Sequence, residues 1–409
     1  MLKRLNLQKM LLYSFLFYII YTPSIAGTVL IDKNITIPVI TVVLLALDLL
    51  RSKREKLFDK TKVAFATLIT ASNIFSLLSY IAHTDNFNII ESRIVQGNLV
   101  LCYLVIISII FKYAKSRKIK KHQLLDWLIN LAVFQGVLCL LMLIIPALHN
   151  FALLFYSGDN FFVRTYRVYG ITSDYTFATP IYHGFIAAMF LYSIISTKAK
   201  LRVQNILKIA FILLAVFVNG RTGVAIFIGC SILLLMADAI RTRRVRRLVK
   251  HLALFVAAAI ASALSLKIIA PVAYMHFNTF VAETTKLVFN QQASGTYAIL
   301  NDSASLPSGI DLLFGSGVHV YDSDNAIEAG YKSSDIGYIN DLHLGGIAYI
   351  VFLYGAYLYL IFKSIKDPGL RIALILMMLS ANYKGEIFRS SIIIFLILYA
   401  CLMENYNEN

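Results

Sequence analysis

Long apolar segments separated by short polar ones run through almost the whole chain. Most of these segments hold roughly 20 residues, enough for a helix to cross the roughly 30 Å hydrocarbon core of a bilayer. About twelve transmembrane helices are predicted on this basis, at residues 10–29, 36–50, 63–82, 97–114, 124–146, 178–197, 204–219, 222–240, 252–271, 342–362, 369–383 and 390–404. The pattern therefore predicts an all-α polytopic integral membrane protein, in which the short second and eleventh segments could instead be re-entrant.

The composition fits a protein embedded in lipid. Of the 409 residues, 59% are hydrophobic and 15% are charged, and the mean hydropathy is +0.72. Soluble domains carry about a quarter charged residues. The first apolar segment follows MLKRLNLQK and is longer than the apolar core of a signal peptide, so we expect it to be a retained first helix.

Basic residues are concentrated on one side of the predicted helices. Six segments hold 28 of the 38 Lys and Arg residues: LKRLNLQK, RSKREKLFDKTK, KYAKSRKIKK, KAKLRVQNILK, RTRRVRRLVK and KSIKDPGLR. The positive-inside rule assigns these segments, and both termini, to the cytoplasm. The net charge of +16 then reflects membrane orientation and contact with anionic lipid, and nucleic-acid binding is not expected.

Two long segments lie on the opposite, outer side in this topology. They divide the chain into nine helices at 1–271, with an Arg- and Tyr-rich outer loop at about 147–178, a large outer loop at 272–341, and three helices with a cytoplasmic tail at 342–409. A loop of roughly 70 residues is longer than a passive connection requires. The sequence shows no internal repeat of the kind that many transporters carry.

Motifs for metal or nucleotide chemistry are absent from the sequence. There is no P-loop, GxGxxG or HExxH motif and no Cys/His cluster, so neither a cofactor nor a metal is expected. The four cysteines lie singly inside apolar segments and are interpreted as small apolar side chains: Cys102, Cys139, Cys230 and Cys401.

Three arginines on the outer side are candidates for binding an anion. Arg221 lies in the short turn VFVNGRTGVAIF, and Arg164 and Arg167 are three residues apart, so a local helix would put both on one face. A guanidinium group binds phosphate oxygens in pairs, which would suit a diphosphate. The alternatives are snorkelling at a helix end for Arg221 and a solvated loop for the other two. Arg389 is a weaker candidate, because Glu386 three residues earlier favours an ion pair.

Four residues are candidates for proton transfer. They are Asp335, Asp341 and His343 in SSDIGYINDLHLGGI, and His183 in PIYHGF. A carboxylate or an imidazole can accept a proton from an attacking hydroxyl group. Each also has a structural alternative: a loop or cap role for the first three, with Asp341 well suited to be a helix N-cap, and a core histidine for His183.

The outer segments are rich in tyrosine, which stacks on sugar rings and is also common at membrane interfaces. Tyr169 and Tyr338 belong to this group. The candidate substrate-binding residues are Arg164, Arg167, Tyr169, His183, Tyr338 and Arg389.

Three stretches, taken together, resemble the Wzy-type O-antigen polymerases and, more distantly, the O-antigen ligases. One is RVYGITSDYTFATPIYHGF, which leads into a span through Pro and Gly, and another is the turn VNGRTG. The third is LLFGSGV with SSDIGYINDLHLGGIAYIVFLYG, which ends the large outer loop. In topology the resemblance covers most of the chain, whereas in sequence it rests on these stretches.

This resemblance implies a GT-C-like fold and an inverting, metal-independent glycosyltransferase in the bacterial inner membrane. Its active site would face the periplasm and polymerise repeat units linked to undecaprenyl diphosphate into O-antigen or a related surface polysaccharide. The lipid diphosphate would be the leaving group. A second membrane protein that regulates chain length is the expected partner.

The resemblance also implies roles for single residues. Arg221, with Arg164 or Arg167, would hold the leaving diphosphate, and Asp335 would belong to the catalytic site. His343 follows from a histidine that the ligases use in the corresponding loop, although the residues flanking His343 match theirs poorly.

Two other functions are compatible with these residues. An O-antigen ligase, which transfers polymer to lipid A-core, would share nearly all of the features above. A lipid-oligosaccharide flippase would suit about twelve spans, but it needs a polar cavity lined by several spans and does not need the large loop. Ionisable residues are nearly absent from the centres of the predicted spans, which disfavours the flippase.

Overall fold

The computed structural model describes most of the chain. The described residues are 2–23, 32–51, 56–83, 94–156, 167–173, 177–196, 202–242, 264, 267–268, 271–290, 305–321, 323–389 and 391–406. Within these residues the regular secondary structure is helical, and no strand is present. This part of the chain therefore has the all-α architecture that the apolar segments predict.

The α-helices are numbered here in chain order. They are α1 (Leu2–Tyr21), α2 (Lys33–Arg51), α3 (Lys60–His83), α4 (Ile94–Ser116), α5 (Lys121–Ile144), α6 (Pro146–Ala152), α7 (Ala178–Ser196), α8 (Val203–Asn219), α9 (Arg221–Thr242), α10 (Pro271–Asn290), α11 (Ile310–Phe314), α12 (Ser323–Glu328), α13 (Gly337–Ser364), α14 (Pro368–Lys384) and α15 (Ser391–Glu404). Short 3-10 helices, Leu153–Phe155 and Ile387–Arg389, follow α6 and precede α15.

Seven of the described helices are long and apolar enough to cross a membrane. They are α2, α3, α4, α5, α7, α9 and α13, and each coincides with a predicted span. The predicted spans at 204–219 and 390–404 correspond to α8 and α15, whose apolar parts are shorter. The span at 369–383 corresponds to α14, which has 17 residues. The span at 10–29 overlaps α1, which ends at Tyr21, and its residues 24–29 lie outside the described part of the chain. The predicted span at 252–271 lies almost entirely outside the described residues. Seven candidate spans in one chain are the architecture of a polytopic membrane protein.

A proline sets the boundary between α5 and α6. The apolar pattern predicted a span to residue 146, but α5 ends at Ile144. Pro146 is the first residue of α6, where its missing N–H costs no helical hydrogen bond. Ile145 is extended, with φ −118° and ψ 95°, as the steric demand of a following proline ring favours. A second helix therefore occupies the start of the predicted outer loop.

The chain divides into two compact units, each assembled from stretches that are distant in sequence. The first unit comprises Met1–Lys33, Ile119–Ala282 and Asp367–Met377. The second unit comprises Asn34–Lys118, Glu283–Lys366 and Met378–Asn409.

Small residues allow close helix packing in the first unit, where α7 contacts both α8 and α9. Gly184 of α7 faces the backbone of Gly223 in α9, and Gly223 faces Pro180 of α7. A Cβ atom at either glycine would overlap the opposite backbone. Small residues at such crossings are a common means of packing membrane helices. As a result, nearly the whole length of α7 is buried.

A bend in α13 organises the second unit, where α13 packs along α3 and α4 packs against α15. The bend falls at Gly345 and Gly346, and Gly346 has φ 65° and ψ −164°, a conformation that only glycine adopts readily. A Cβ atom on Gly346 would overlap the backbone of Leu313 and Phe314 in α11. The bend therefore lets α11, from the predicted large loop, lie directly on α13.

Candidate functional site

An irregular segment at 167–173 lies in the first unit and is held by two side-chain amides. Asn219, at the end of α8, accepts the N–H of Val168 at 2.8 Å and donates to the carbonyl of the same residue. Gln135 of α5 donates to the carbonyl of Ile171 at 3.0 Å and accepts its N–H at 3.2 Å. Each amide thus forms hydrogen bonds with backbone N–H and carbonyl groups that would otherwise need a partner, because this segment is not part of a sheet. Neither amide is among the predicted site residues. A single amide side chain inside an apolar segment is the sequence feature that could have indicated them.

The Asn219 contact brings two candidate arginines into one region of the first unit. Arg167 directly precedes Val168, and Arg221 begins α9 two residues after Asn219. Nη1 of Arg167 donates to Tyr169 Oη at 3.4 Å, and Tyr169 Oη donates to the Asn219 carbonyl at 3.5 Å. Arg167 and Arg221 are both half-buried. The contact brings the backbone at the two arginines together, and a guanidinium group is suited to binding a polyanion.

The structure describes only one arginine of the predicted Arg164–Arg167 pair. Arg167 begins an irregular, non-helical segment, so the helical spacing that would align it with Arg164 is not present from this residue onward. Arg164 itself lies outside the described residues. Tyr169 is fully buried and contacts Arg167, which makes it a support for that guanidinium group in this conformation.

His183 lies in the core of the first unit. It is fully buried in α7, and its Nε2 lies 3.0 Å from Tyr21 Oη. Its ring stacks on Tyr21, with centroids 5.8 Å apart, and meets Tyr182 edge-on at 5.4 Å. These contacts favour the core-histidine alternative for the described conformation, because its ring has no exposed surface.

A buried carboxylate forms the polar centre of the second unit. Asp341 is 1% exposed, and its Oδ2 accepts from Tyr354 Oη at 2.7 Å and from Asn382 Nδ2 at 3.0 Å. The interpretation of Asp341 as an N-cap is wrong, because α13 begins at Gly337 and Asp341 lies inside it. The hydropathy pattern placed the start of this span at residue 342. Hydropathy treats a carboxylate as polar even where, as here, it is buried and hydrogen-bonded.

His343 of α13 contacts the two segments that flank α11, at Ser305 before it and at Ser316 after it. Its Nε2 donates to the carbonyl of Ser305 at 2.8 Å, and its Nδ1 lies 2.9 Å from the hydroxyl of Ser316. The ring of Tyr331 packs edge-on against it at 4.4 Å. Because a carbonyl can only accept, the Nε2 atom carries the proton, and the Nδ1 atom of the neutral ring accepts from Ser316. Both ring nitrogens are thus engaged.

The other predicted site residues of the second unit lie around the start of α13. Asp335 is exposed between the buried residues Ser334 and Ile336. Tyr338 is half-buried, and its hydroxyl donates to the carbonyl of Leu379 at 2.6 Å. Arg389 ends a 3-10 helix, and its side chain lies outside the described residues.

Glu386 has a partner that the sequence analysis did not identify. His319 Nε2 lies 3.3 Å from its carboxylate, and the two residues are 67 positions apart in the chain. The predicted contact of Glu386 with Arg389 involves a side chain outside the described part of the structure. Sequence spacing reveals pairs within a helix but not a contact across such a distance.

Among the described residues, no group of three or more His, Cys, Asp or Glu side chains could hold a metal ion. The polar groups described above are instead arginine, tyrosine, serine, amides, single histidines and single carboxylates. Comparison with protein-family models, curated proteins and solved structures gives no match. The residues and contacts described above are therefore the basis for proposing a function.

Proposed function

We propose that this protein is a polysaccharide polymerase of the Wzy type. It would join repeat units linked to undecaprenyl diphosphate into O-antigen or a related surface polysaccharide. A sugar hydroxyl of the incoming unit attacks the anomeric carbon of the growing chain, the bond from that carbon to the lipid diphosphate breaks, and the configuration inverts. Positive charge from arginine stabilises the diphosphate as it leaves.

The observation that carries this proposal is the hydrogen-bonded contact between Asn219 and Val168. It joins the backbone before α9, which bears Arg221, to the irregular segment that bears Arg167. Planar guanidinium groups bind phosphate oxygens in pairs, and two of them in one region match the two phosphates of a lipid diphosphate. Arg164, three residues before Arg167, is a further proposed ligand of this anion.

Asp335 is the proposed proton acceptor in preference to His343. Asp335 is exposed, whereas both ring nitrogens of His343 are engaged by Ser305 and Ser316. A general base must reach the hydroxyl that it deprotonates. We assign His343 to holding the segments that flank α11 against α13, and Tyr338 and Arg389 to substrate contacts near Asp335.

The proposal includes the membrane arrangement that the sequence predicts. About twelve helices in a GT-C-like fold would span the inner membrane, with both termini in the cytoplasm. The arginines and Asp335 would then face the periplasm, where the lipid-linked substrates are presented. A membrane protein that regulates chain length is the proposed partner.

The lipopolysaccharide ladder on a gel tests the proposal. In a strain whose only copy of the gene carries Arg221→Ala, we expect the ladder to shorten to core plus one repeat at normal protein level. Arg221→Lys should fail as well, because an ammonium group cannot bind two oxygens in the same plane. Arg202→Ala is the matched control, since Arg202 is exposed at the opposite end of α8. A full ladder in Arg221→Ala would overturn the site assignment.

The same gel separates the polymerase from the two other functions. Deletion of a polymerase leaves core with a single repeat. Deletion of a ligase leaves bare core while lipid-linked polymer accumulates. Deletion of a flippase produces neither polymer nor the single-repeat product.

A further inference from the structure

A basic cavity lies at one end of the second unit, where α3 begins and α4, α13 and α15 end. Its volume is about 230 Å³, which is more than a single water molecule needs. Four lysines line it: Lys56, Lys62, Lys112 and Lys115. None of the residues that line it belongs to the candidate site described above.

Nearby carboxylates neutralise only part of this charge. Asp59 is the one acidic side chain among the described residues lining the cavity, and it caps α3 by accepting the N–H of Lys62 at 2.9 Å. Asp48 of α2 pairs with Lys112, with 2.9 Å between Oδ2 and Nζ. Four lysines and two carboxylates leave an excess of two positive charges, so the cavity favours an anion.

Two buried hydroxyl groups in the wall of the cavity lack a partner. Ser108 of α4 is 3% exposed and Ser364 of α13 is 1% exposed, and both line the cavity. Neither Oγ atom has a hydrogen-bond partner among the described residues. Both Oγ atoms are enclosed by neighbouring atoms, so each must rotate about χ1 to reach the cavity. A buried hydroxyl is normally satisfied, and an acceptor in the cavity would satisfy both.

We propose that this cavity binds the phosphate group of an anionic ligand. The lysine Nζ atoms supply charge, and the two serine hydroxyls, once rotated toward the cavity, donate hydrogen bonds to the phosphate oxygens. The site is separate from the proposed diphosphate site in the first unit. Binding of phosphate in this cavity does not require that the protein is a polymerase.

A neighbouring groove indicates that the phosphate belongs to a phospholipid. An apolar groove of about 450 Å³ follows α3 past Val63, Ala66 and Ile74, and Lys62 lines both this groove and the basic cavity. A headgroup phosphate can therefore occupy the cavity while an acyl chain follows the groove. Basic pockets between membrane helices on the cytoplasmic side bind anionic headgroups in this way, and the basic segment before α3 is predicted to be cytoplasmic.

Native mass spectrometry of the purified full chain tests the proposal. After removal of bound lipid, the protein is titrated with phosphatidylglycerol, with diacylglycerol of the same chains, and with phosphatidylglycerol in the presence of inorganic phosphate. We expect phosphatidylglycerol to bind and diacylglycerol not to bind. The double variant Lys56→Gln/Lys115→Gln should weaken binding by roughly tenfold or more, since each lysine near an anionic lipid contributes a severalfold factor.

Serine variants provide a second measurement that does not depend on the lysines. Ser108→Ala removes a hydroxyl without a protein partner, so it should weaken phosphatidylglycerol binding without lowering the unfolding temperature. The matched controls are Lys363→Gln, exposed beside Ser364 on α13, and Ser231→Ala, which removes an unpartnered buried hydroxyl in α9. Both should bind like wild type.

Each outcome bears on the proposal. Binding of inorganic phosphate to wild type but not to the lysine variant, with no preference of wild type for phosphatidylglycerol over diacylglycerol, supports the phosphate site and assigns it to free phosphate. Equal binding of phosphatidylglycerol by wild type, the lysine variant and Ser108→Ala overturns the site. A lower unfolding temperature of the lysine variant with unchanged lipid binding also overturns it, because the lysines would then only complement the carboxyl end of α4.

Discussion

Asn219 is the residue on which the candidate diphosphate site depends. Its amide satisfies both backbone groups of Val168 and also donates to the carbonyl of Ala215 at 2.8 Å. All of these groups are buried. A side chain that binds two segments at once fixes the segment bearing Arg167 relative to the start of α9.

Removal of the Asn219 amide should lower stability and activity together. In Asn219→Ala, the buried N–H and carbonyl of Val168 lose their partner, so we expect the free energy of unfolding to fall by about 1–3 kcal/mol. Thermal unfolding of the purified protein and the polysaccharide ladder are the measurements. Asn205→Ala, near the other end of α8, is the control and should change neither. Wild-type stability of Asn219→Ala would show that the contact is not needed.

Two tyrosines on α13 test the buried carboxylate of the second unit. Tyr354 donates to Asp341, whereas the buried hydroxyl of Tyr357 has no partner among the described residues. Tyr354→Phe should therefore lower the free energy of unfolding by about 1–3 kcal/mol, and Tyr357→Phe should leave it unchanged or raise it. Denaturant unfolding of both variants decides the point. Equal effects of the two substitutions would contradict the assigned hydrogen bond.

At the scale of single elements, the length of the apolar segments predicted the helices well but did not predict where helices with polar ends begin. Seven predicted spans coincide with candidate membrane helices, because hydrophobicity and length are local properties of the sequence. The start of α13 was missed because Asp341 is polar but is satisfied by Asn382, which is distant in the chain. No local pattern shows such partners. The Gly345–Gly346 pair was a visible signal for the bend, although it did not reveal that α11 lies there.

The bend of α13 should tolerate no side chain at Gly346. Gly346→Ala must adopt a positive φ of 65° and avoid the backbone of α11, so we expect a loss of about 1–3 kcal/mol or more. Gly355→Ala in the same helix is the control, because nothing lies near the Cβ atom it would add and alanine favours a helix by about 1 kcal/mol. Unfolding of the two variants should therefore shift in opposite directions. Equal stability of Gly346→Ala and wild type would rule out the bend.

At the scale of the whole molecule, the sequence predicted a helical membrane protein but not how its helices group. Each of the two units combines stretches from both halves of the chain. Hydropathy carries no information on such long-range pairing, whereas packing does: Gly184, Gly223 and Pro180 make α7 and α9 neighbours. The contact between Asn219 and Val168 is of the same kind, so the candidate site could be predicted as a set of residues but not as an arrangement.

Polymerisation by the purified full-length protein tests the central claim most directly. The protein is reconstituted with a repeat unit linked to undecaprenyl diphosphate, and both glycan length and released undecaprenyl diphosphate are measured. We predict that wild type and Arg202→Ala lengthen the glycan and release one lipid diphosphate for each bond formed. Arg221→Ala, at equal amount and with normal unfolding, should do neither. Equal polymer formation by Arg221→Ala, or no release of lipid diphosphate by wild type, would contradict the account.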